Sequence, residues 1–269
     1  MLRMRNAALA VPFILMPTTI FLDIETTWPP DVLDYLERHR ELFLAWERRN
    51  ASSSAPPVSV PEYEIAIRGL RRILDNHLLH GYHCTRLTET EIRCIAADGL
   101  QLPNAIMLRS RIQMLQEAGE IEPQIAERLR NQNQAGESNR AGMIWFCFYV
   151  PHLAGQSGIE RFFRSWGGEA LYNSNEDDPA TGPILKSLGT PCIIEAKVPI
   201  SDLAVHSWLD DKMIRRFLIK RGLKTNESVN HDDRAKCPVS AHNIIRIIKY
   251  PDPEFVRLTG CDTWSPALV

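Results

Sequence analysis

The sequence predicts an α+β fold, in which helices and strands follow one another without the regular alternation of a parallel sheet. Three observations lead to this prediction. Apolar residues recur with helical spacing in several segments, short continuous apolar runs typical of buried strands lie between them, and no internal repeat is present. The chain has 269 residues, of which 44% are hydrophobic and 24% charged, as in ordinary globular proteins.

The first 16 residues combine two arginines with a short apolar run, which gives them some features of a secretory signal. Pro12 interrupts the run, and the run is shorter than the about 20 apolar residues that span a bilayer. We therefore interpret this segment as an N-terminal strand or arm packed on the domain, with Met16 as an alternative start. A cytoplasmic protein without membrane contact is expected.

Two amphipathic helices are predicted at residues 31–50 and 62–77, joined by a linker rich in serine and proline. Trp-Pro-Pro precedes the first helix, and Asp31 can cap it. Together the two helices are too small to bury a core of their own. Residues 1–77 are therefore predicted to form an arm and helical layer on a catalytic domain of residues 78–269.

A short strand at residues 82–85 is predicted to lead into a helix with clear end signals. Thr88 and Glu91 form a capping box at its start, and Gly99 ends it. The remaining predicted elements are helices at 108–115, 122–131 and 158–166, strands at 143–150, from 169, at 191–200 and at 242–251, and a basic helix within 204–222.

Several chemistries lack their sequence signatures. There is no glycine-rich dinucleotide or P-loop motif, no HExxH and no GxSxG. The six cysteines form no CxxC pair and no cluster at zinc spacing, so reduced thiols and no bound metal are expected. The net charge of −2 argues neither for nor against a nucleic-acid partner.

Three pieces of the chain then occur in an informative order: YHCTRLTETEIRCIAADGL from residue 82, IWFC from residue 144 and WGGEALY from residue 166. In this order they resemble the ADP-ribosyltransferase superfamily, in the branch of the poly-ADP-ribose polymerases and related bacterial toxins. Members of that branch carry a His-x-Thr-like strand, a helix ending in Gly-Leu, an aromatic strand and a glutamate that opens a further strand. The resemblance covers about residues 79–250 and implies a split mixed β-sheet with flanking helices.

The resemblance also implies roles around NAD, which would be a substrate. His83 would hydrogen-bond the adenine-side ribose. The main chain of Cys84, where the family often has glycine, would bind the nicotinamide carboxamide. Thr85 and Arg86 would support the turn and the pyrophosphate, and a guanidinium fork such as that of Arg86 is well suited to bind phosphate oxygens.

The aromatic strand would supply the wall of the nicotinamide pocket. Trp145, beside Phe146, would stack on the nicotinamide ring. Phe162 or Phe163 would cover the opposite face, where many relatives carry tyrosine. Each aromatic residue is equally consistent with a plain core position, because aromatic strands usually pack inside proteins.

Glu169 is the first choice of catalytic carboxylate, together with His83, and Glu195 is the second choice. Breaking the bond between nicotinamide and ribose leaves positive charge on the sugar, which a fixed carboxylate can stabilise. At the position of Gly167, arginine-modifying relatives carry a glutamate and several base-modifying ones carry a glutamine. The absence of both disfavours an arginine acceptor and leaves the acceptor open. Without the resemblance, His83 and Glu169 would be interpreted as a strand-end histidine and a surface carboxylate.

The expected function is transfer of ADP-ribose from NAD to a macromolecule, with nucleic acid favoured over protein as the acceptor. A bacterial toxin or phage-defence effector with an antitoxin partner is expected. The basic helix offers Arg215, Arg216, Lys220 and Arg221 for acceptor binding, although a solvated helix face explains them as well. The alternatives are an NAD glycohydrolase, an RNA 2'-phosphotransferase-like enzyme and an inactive binding module of the same fold.

Overall fold

The computed structural model describes residues 17–52, 54, 56–204 and 208–268, and the fold is α+β as predicted. The strands are β1 (Thr19–Ile20), β2 (Leu78–Leu87), β3 (Ile144–Cys147), β4 (Thr190–Pro199), β5 (Asp232–Ala235) and β6 (Ile244–Lys249). They form one mixed sheet in the order β5-β3-β2-β4-β6. Strand β1 pairs with β2 in parallel, and the other pairs are antiparallel.

Eleven α-helices surround the sheet within the described part of the chain. They are α1 (Pro30–Arg38), α2 (Arg40–Ala51), α3 (Val60–Leu74), α4 (Glu89–Asp98), α5 (Ala105–Glu117), α6 (Pro123–Asn131), α7 (Gln156–Arg164), α8 (Glu169–Asn175), α9 (Gly182–Ser187), α10 (Leu209–Ile219) and α11 (Pro253–Thr259). None of these helices is both long and apolar enough to cross a membrane.

The sheet is divided between β2 and β3. Strand β2 pairs with β4 along all of its residues, and β3 pairs along its whole length with β5. Between β2 and β3, however, the described residues share a single register pair, Tyr82 with Cys147. We call the interval between residues 83–87 of β2 and residues 144–146 of β3 the split. The split separates two half-sheets and leaves strand backbone without the partners that a continuous sheet would supply.

Three groups of buried side chains hold the fold together. The largest lies between one sheet face and α1, α2, α3 and α10. A second joins α5, α6, α8 and α9, and a third packs α7 and α11 on the other sheet face. Because residues of the predicted N-terminal layer share the largest core with the sheet, the layer is packed on the domain. Residues 1–16 of the predicted arm lie outside the described residues.

Several predicted boundaries need correction. The helix predicted at 31–50 is two helices, because His39 leaves the helical conformation with φ −102° and ψ 11°. The strand predicted from residue 169 is helix α8, which begins directly after Gly167 and Gly168, both at positive φ. The capping box of Thr88 and Glu91 is confirmed. All six cysteines are free, as expected.

Candidate active site

His83 lies on β2 at the start of the split and reaches across it. Its Nδ1 is 2.8 Å from the carbonyl oxygen of Trp145, and its ring centroid is 5.8 Å from that of Phe146. Burial lowers the pKa of His83, and the positive charge of Arg111 lowers it further, against an opposing effect of the hydrogen bond to Trp145. The imidazole is therefore neutral at pH 7 and can act as a hydrogen-bonding group beside the split.

Cys84 and Trp145 lie on the sheet face opposite to the imidazole of His83, because side chains alternate along a strand. The Cys84 thiol contacts the Cys147 thiol, and this contact together with burial raises the pKa of Cys84 well above its ordinary value. Trp145 is 45% exposed, and the guanidinium of Arg234 lies 5.4 Å from its ring centroid. The backbone of Cys84 and the ring of Trp145 thus border the split on one face, and His83 borders it on the other.

Arg86 is not available for a pyrophosphate. It is buried, its Nε donates to the carbonyl of Leu188 at 2.6 Å, and its Nη1 donates to the carbonyl of Phe163 at 2.9 Å. Arg86 therefore ties β2 to the end of α7 and to the segment before β4, which corrects the predicted role. Thr85 is half-buried and shares the face of His83, two residues further along β2.

The predicted stacking residues differ in how far their rings are buried. Phe163 is fully buried, with its ring 5.0 Å from Phe255 and 6.2 Å from Trp264, so no ring face remains for a ligand. Phe146 is buried as well. Phe162 is half-buried and lies 6.2 Å from the ring of Tyr172. Of the predicted aromatic residues, Trp145 has the largest exposed ring.

Glu169 opens helix α8, where a carboxylate is favoured by the helix dipole. The side chain is 45% exposed. Its Oε1 accepts a hydrogen bond from the Tyr172 hydroxyl at 3.2 Å, and its Oε2 is 3.9 Å from Nε of Arg140. The carboxylate is therefore oriented on one side and still accessible to a substrate hydroxyl.

A chain of contacts connects the start of α8 with the split. The indole nitrogen of Trp166, three residues before Glu169, donates to Oε2 of Glu91 at 3.0 Å. The other oxygen of Glu91 accepts from Nε of Arg111, whose charge acts on His83. The direct partners of Glu169 itself are Tyr172 and Arg140, so its approach to His83 and the split stays a prediction.

Glu195, the second-choice carboxylate, has both oxygens engaged. Oε1 lies 2.6 Å from Nε2 of His80, and Oε2 forms an ion pair with Arg246. Burial raises the pKa of Glu195, but the hydrogen bonds from His80 and Arg246 outweigh it and hold the pKa below the ordinary value. A carboxylate with this pairing has little capacity left for a substrate, which favours Glu169.

Strand β5 carries two residues next to Trp145 and Cys147 that the sequence analysis missed. Asp232 is opposite Cys147 and Arg234 is opposite Trp145, so both lie on the face of Trp145. Asp232 is exposed and, with Cys147, contributes after burial to the raised pKa of Tyr149. The four-residue strand Asp-Asp-Arg-Ala is mostly polar, so it lacks the apolar pattern by which the other strands were predicted.

The basic helix α10 is bound to the N-terminal layer by ion pairs. Arg215 pairs with Glu47 at 3.0 Å, Arg221 pairs with Glu25 and Glu37 at 3.1 and 3.2 Å, and Lys220 lies 3.8 Å from Glu25. Arg216 donates from Nε to the carbonyl of Val229. These contacts favour a structural role for the helix, and binding of an acceptor by the four residues stays a prediction.

No group of three or more residues suited to hold a metal ion occurs among the described residues. A cavity of about 450 Å³ lies between α7 and α11, outside the split, and is lined by residues that include His152, Arg257 and Trp264. We assign the candidate site to the split because His83 and Trp145 border strand backbone there that the sheet leaves unpaired. Comparison with protein-family models, with curated proteins and with solved structures found no match to this chain.

Proposed function

We propose that the protein is an NAD-dependent ADP-ribosyltransferase, with NAD bound at the split between β2 and β3. The observation that carries this proposal is the single register pair between the two strands, Tyr82 with Cys147, next to a histidine that spans the interval. Exposed strand backbone can bind the carboxamide of nicotinamide, which has one donor and one acceptor group. The resemblance to ADP-ribosyltransferases implies the same position for the nicotinamide.

In this proposal the two faces of the split hold different parts of NAD. The backbone of Cys84 and the exposed ring of Trp145 bind the nicotinamide end on one face. The neutral imidazole of His83 binds the adenine-side ribose on the other. The side chains of Trp145 and His83 point to opposite faces of the sheet. A site that extends over both faces uses both of them, whereas a pocket on one face would use only one.

Glu169 would act on the nicotinamide ribose. As the bond between the ribose and nicotinamide breaks, nicotinamide leaves with the bonding electrons, and positive charge develops on the sugar. The carboxylate stabilises this charge and holds a ribose hydroxyl, and Tyr172 keeps the carboxylate in place. The acceptor then adds to the same carbon and loses a proton.

The acceptor class follows from the family resemblance. Nucleic acid remains favoured over protein, because some relatives modify DNA or RNA bases. Gly167 replaces both the glutamate of arginine-modifying relatives and the glutamine of several base-modifying ones, so this position leaves the acceptor open. A toxin or phage-defence effector held by an antitoxin protein fits a transferase of this kind. This step is an analogy between families.

The test uses the full chain and NAD labelled in the adenylate phosphate, incubated with separate pools of RNA, DNA and protein. We expect release of nicotinamide and label in one pool. Glu169→Gln should abolish both, and Glu127→Gln, which changes an exposed glutamate on α6, should change neither.

Other outcomes would identify the alternatives. Nicotinamide release without label in any pool indicates an NAD glycohydrolase. Transfer of a terminal RNA 2'-phosphate to NAD that survives Glu169→Gln indicates an RNA 2'-phosphotransferase-like enzyme. Absence of both nicotinamide release and NAD binding by the unmodified chain would reject the proposal in favour of a binding module.

A further inference from the structure

The proposed NAD site lacks its expected partner for phosphate, because Arg86 is committed to two backbone carbonyls. A dinucleotide carries two negative charges between its riboses, and sites for such groups usually contain an arginine or a helix N-terminus. A replacement would have to lie beside His83, on the adenine side of the split. Arg111 of helix α5 is the candidate, because its partner Glu91 is bound to the backbone directly after β2.

Arg111 is held in a fixed position by two neighbours. Its Nε donates to Oε1 of Glu91, and its guanidinium carbon lies 4.6 Å from the centroid of the Trp166 ring. Glu91 is itself fixed, because its Oε2 accepts from the backbone N–H of Thr88 at 2.8 Å and from the indole of Trp166 at 3.0 Å. The guanidinium is thus oriented before any ligand arrives, which lowers the entropic cost of binding.

The outer part of the same guanidinium is unoccupied. Neither terminal nitrogen of Arg111 has a hydrogen-bond partner among the described residues, and the side chain is 24% exposed. A planar group with two parallel donors is the usual partner of phosphate oxygens. The partly buried position strengthens such a contact, because the effective dielectric constant is lower than in water.

Two further facts point to the direction in which Arg111 acts. Its partner Glu91 accepts a hydrogen bond from the backbone N–H of Thr88, the residue that directly follows β2, so Arg111 lies at the end of the split; in agreement with this position, its positive charge lowers the pKa of His83. Burial raises the pKa of Glu91, but Arg111, Thr88 and Trp166 outweigh it, so Glu91 stays ionised and keeps Arg111 in place.

We propose that Arg111, together with His83, forms the binding site for the phosphate groups of a nucleotide substrate at the split. This inference rests on the proposed function where the nucleotide is NAD, in which the group bound is the diphosphate. The same chemistry would also accept the terminal phosphate of an RNA end, which the phosphotransferase alternative requires.

The experiment measures equilibrium binding of two ligands by isothermal titration calorimetry. ADP-ribose contains the diphosphate, and nicotinamide contains none. Arg111→Ala should weaken ADP-ribose binding about 10- to 100-fold, the range expected for loss of hydrogen bonds to a charged group, and leave nicotinamide binding unchanged. Arg111→Lys keeps the charge beside Glu91 but not the fork, so it should give an intermediate loss. Arg109→Ala, on the exposed side of α5, is the matched control.

Equal affinity of Arg111→Ala and the unmodified chain for ADP-ribose would overturn the inference and leave the proposed function intact. Loss of both ligands in Arg111→Ala and Arg111→Lys would also overturn it, because that result indicates a structural role. If the unmodified chain binds neither ligand, the proposed function fails. Titration with an RNA ending in a 2'-phosphate then decides the inference: binding that requires Arg111 supports it, and absence of binding ends it.

Discussion

His80 and His83 lie three residues apart on β2, yet their surroundings differ completely. His80 is buried, its ring stacks on Phe21 at 4.1 Å, and its Nε2 is 2.6 Å from Glu195, whose other oxygen pairs with Arg246. His83 has one hydrogen bond, to a backbone carbonyl across the split. The comparison teaches that a polar side chain whose bonding capacity is satisfied inside the protein stabilises the fold, whereas one left partly open is a candidate for ligand binding.

The two candidate carboxylates differ in the same way, because both oxygens of Glu195 are engaged and Glu169 is still accessible. The largest expected effect therefore concerns Glu169. Glu169→Gln should reduce nicotinamide release about 100- to 1,000-fold, because removal of one charge-stabilising group in an active site has effects of this size. The melting temperature should hardly change, since the side chain is 45% exposed. Initial rates and thermal melts of the variant and of Glu127→Gln provide the measurement. A rate within threefold of the unmodified chain would contradict the assignment.

His231, which directly precedes β5, is expected to govern acid stability. It is 2% exposed, its Nε2 has no hydrogen-bond partner, and burial lowers its pKa to about 4. An unfolded histidine has a pKa of about 6.5, so the unfolded state takes up the proton first as the pH falls. The free energy of unfolding should therefore decrease by up to about 3 kcal/mol from this group between pH 6.5 and pH 4.

The check for His231 is a series of urea unfolding curves at pH 7, 5.5 and 4.5. His231→Phe, which keeps a ring against Phe148, should flatten the decrease. An equally steep decrease in the variant would mean that other groups carry the acid sensitivity.

Glu195→Gln should show the opposite pattern to Glu169→Gln. The change removes the charge that binds His80 and Arg246, and we expect a loss of about 2 kcal/mol in the free energy of unfolding, as for other hydrogen bonds to charged groups. Nicotinamide release per folded molecule should stay the same. Loss of activity without loss of stability would reverse the roles of the two glutamates.

The smallest effect is expected on the basic helix. Arg221→Ala removes ion pairs to Glu25 and Glu37 at a site that is 30% exposed, so the free energy of unfolding should fall by about 0.5 kcal/mol. Labelling of the acceptor pool should not change. If labelling falls while the melting temperature holds, the predicted role of this helix in acceptor binding would be supported instead.

The sequence predicts the end of a helix or strand well where residues close by in the sequence determine it. The capping box of Thr88 and Glu91 is an example. The strand predicted from residue 169 was wrong, because the chain forms helix α8 directly after Gly167 and Gly168. The pairing of β2 with β3 at one residue depends on contacts across the sheet, so no local pattern reveals it. The commitment of Arg86 to two distant carbonyls and the polar strand β5 were hidden for the same reason.

The most direct test of the central claim, that NAD binds at the split, is hydrogen–deuterium exchange of the full chain with and without saturating NAD. We predict slower exchange in peptides that cover residues 83–87 and 144–146, where the strand edges that face each other are left unpaired by the sheet. Strand β6, residues 244–249, should exchange at the same rate in both states. Protection confined to the cavity between α7 and α11, with no change at the split, would contradict the account.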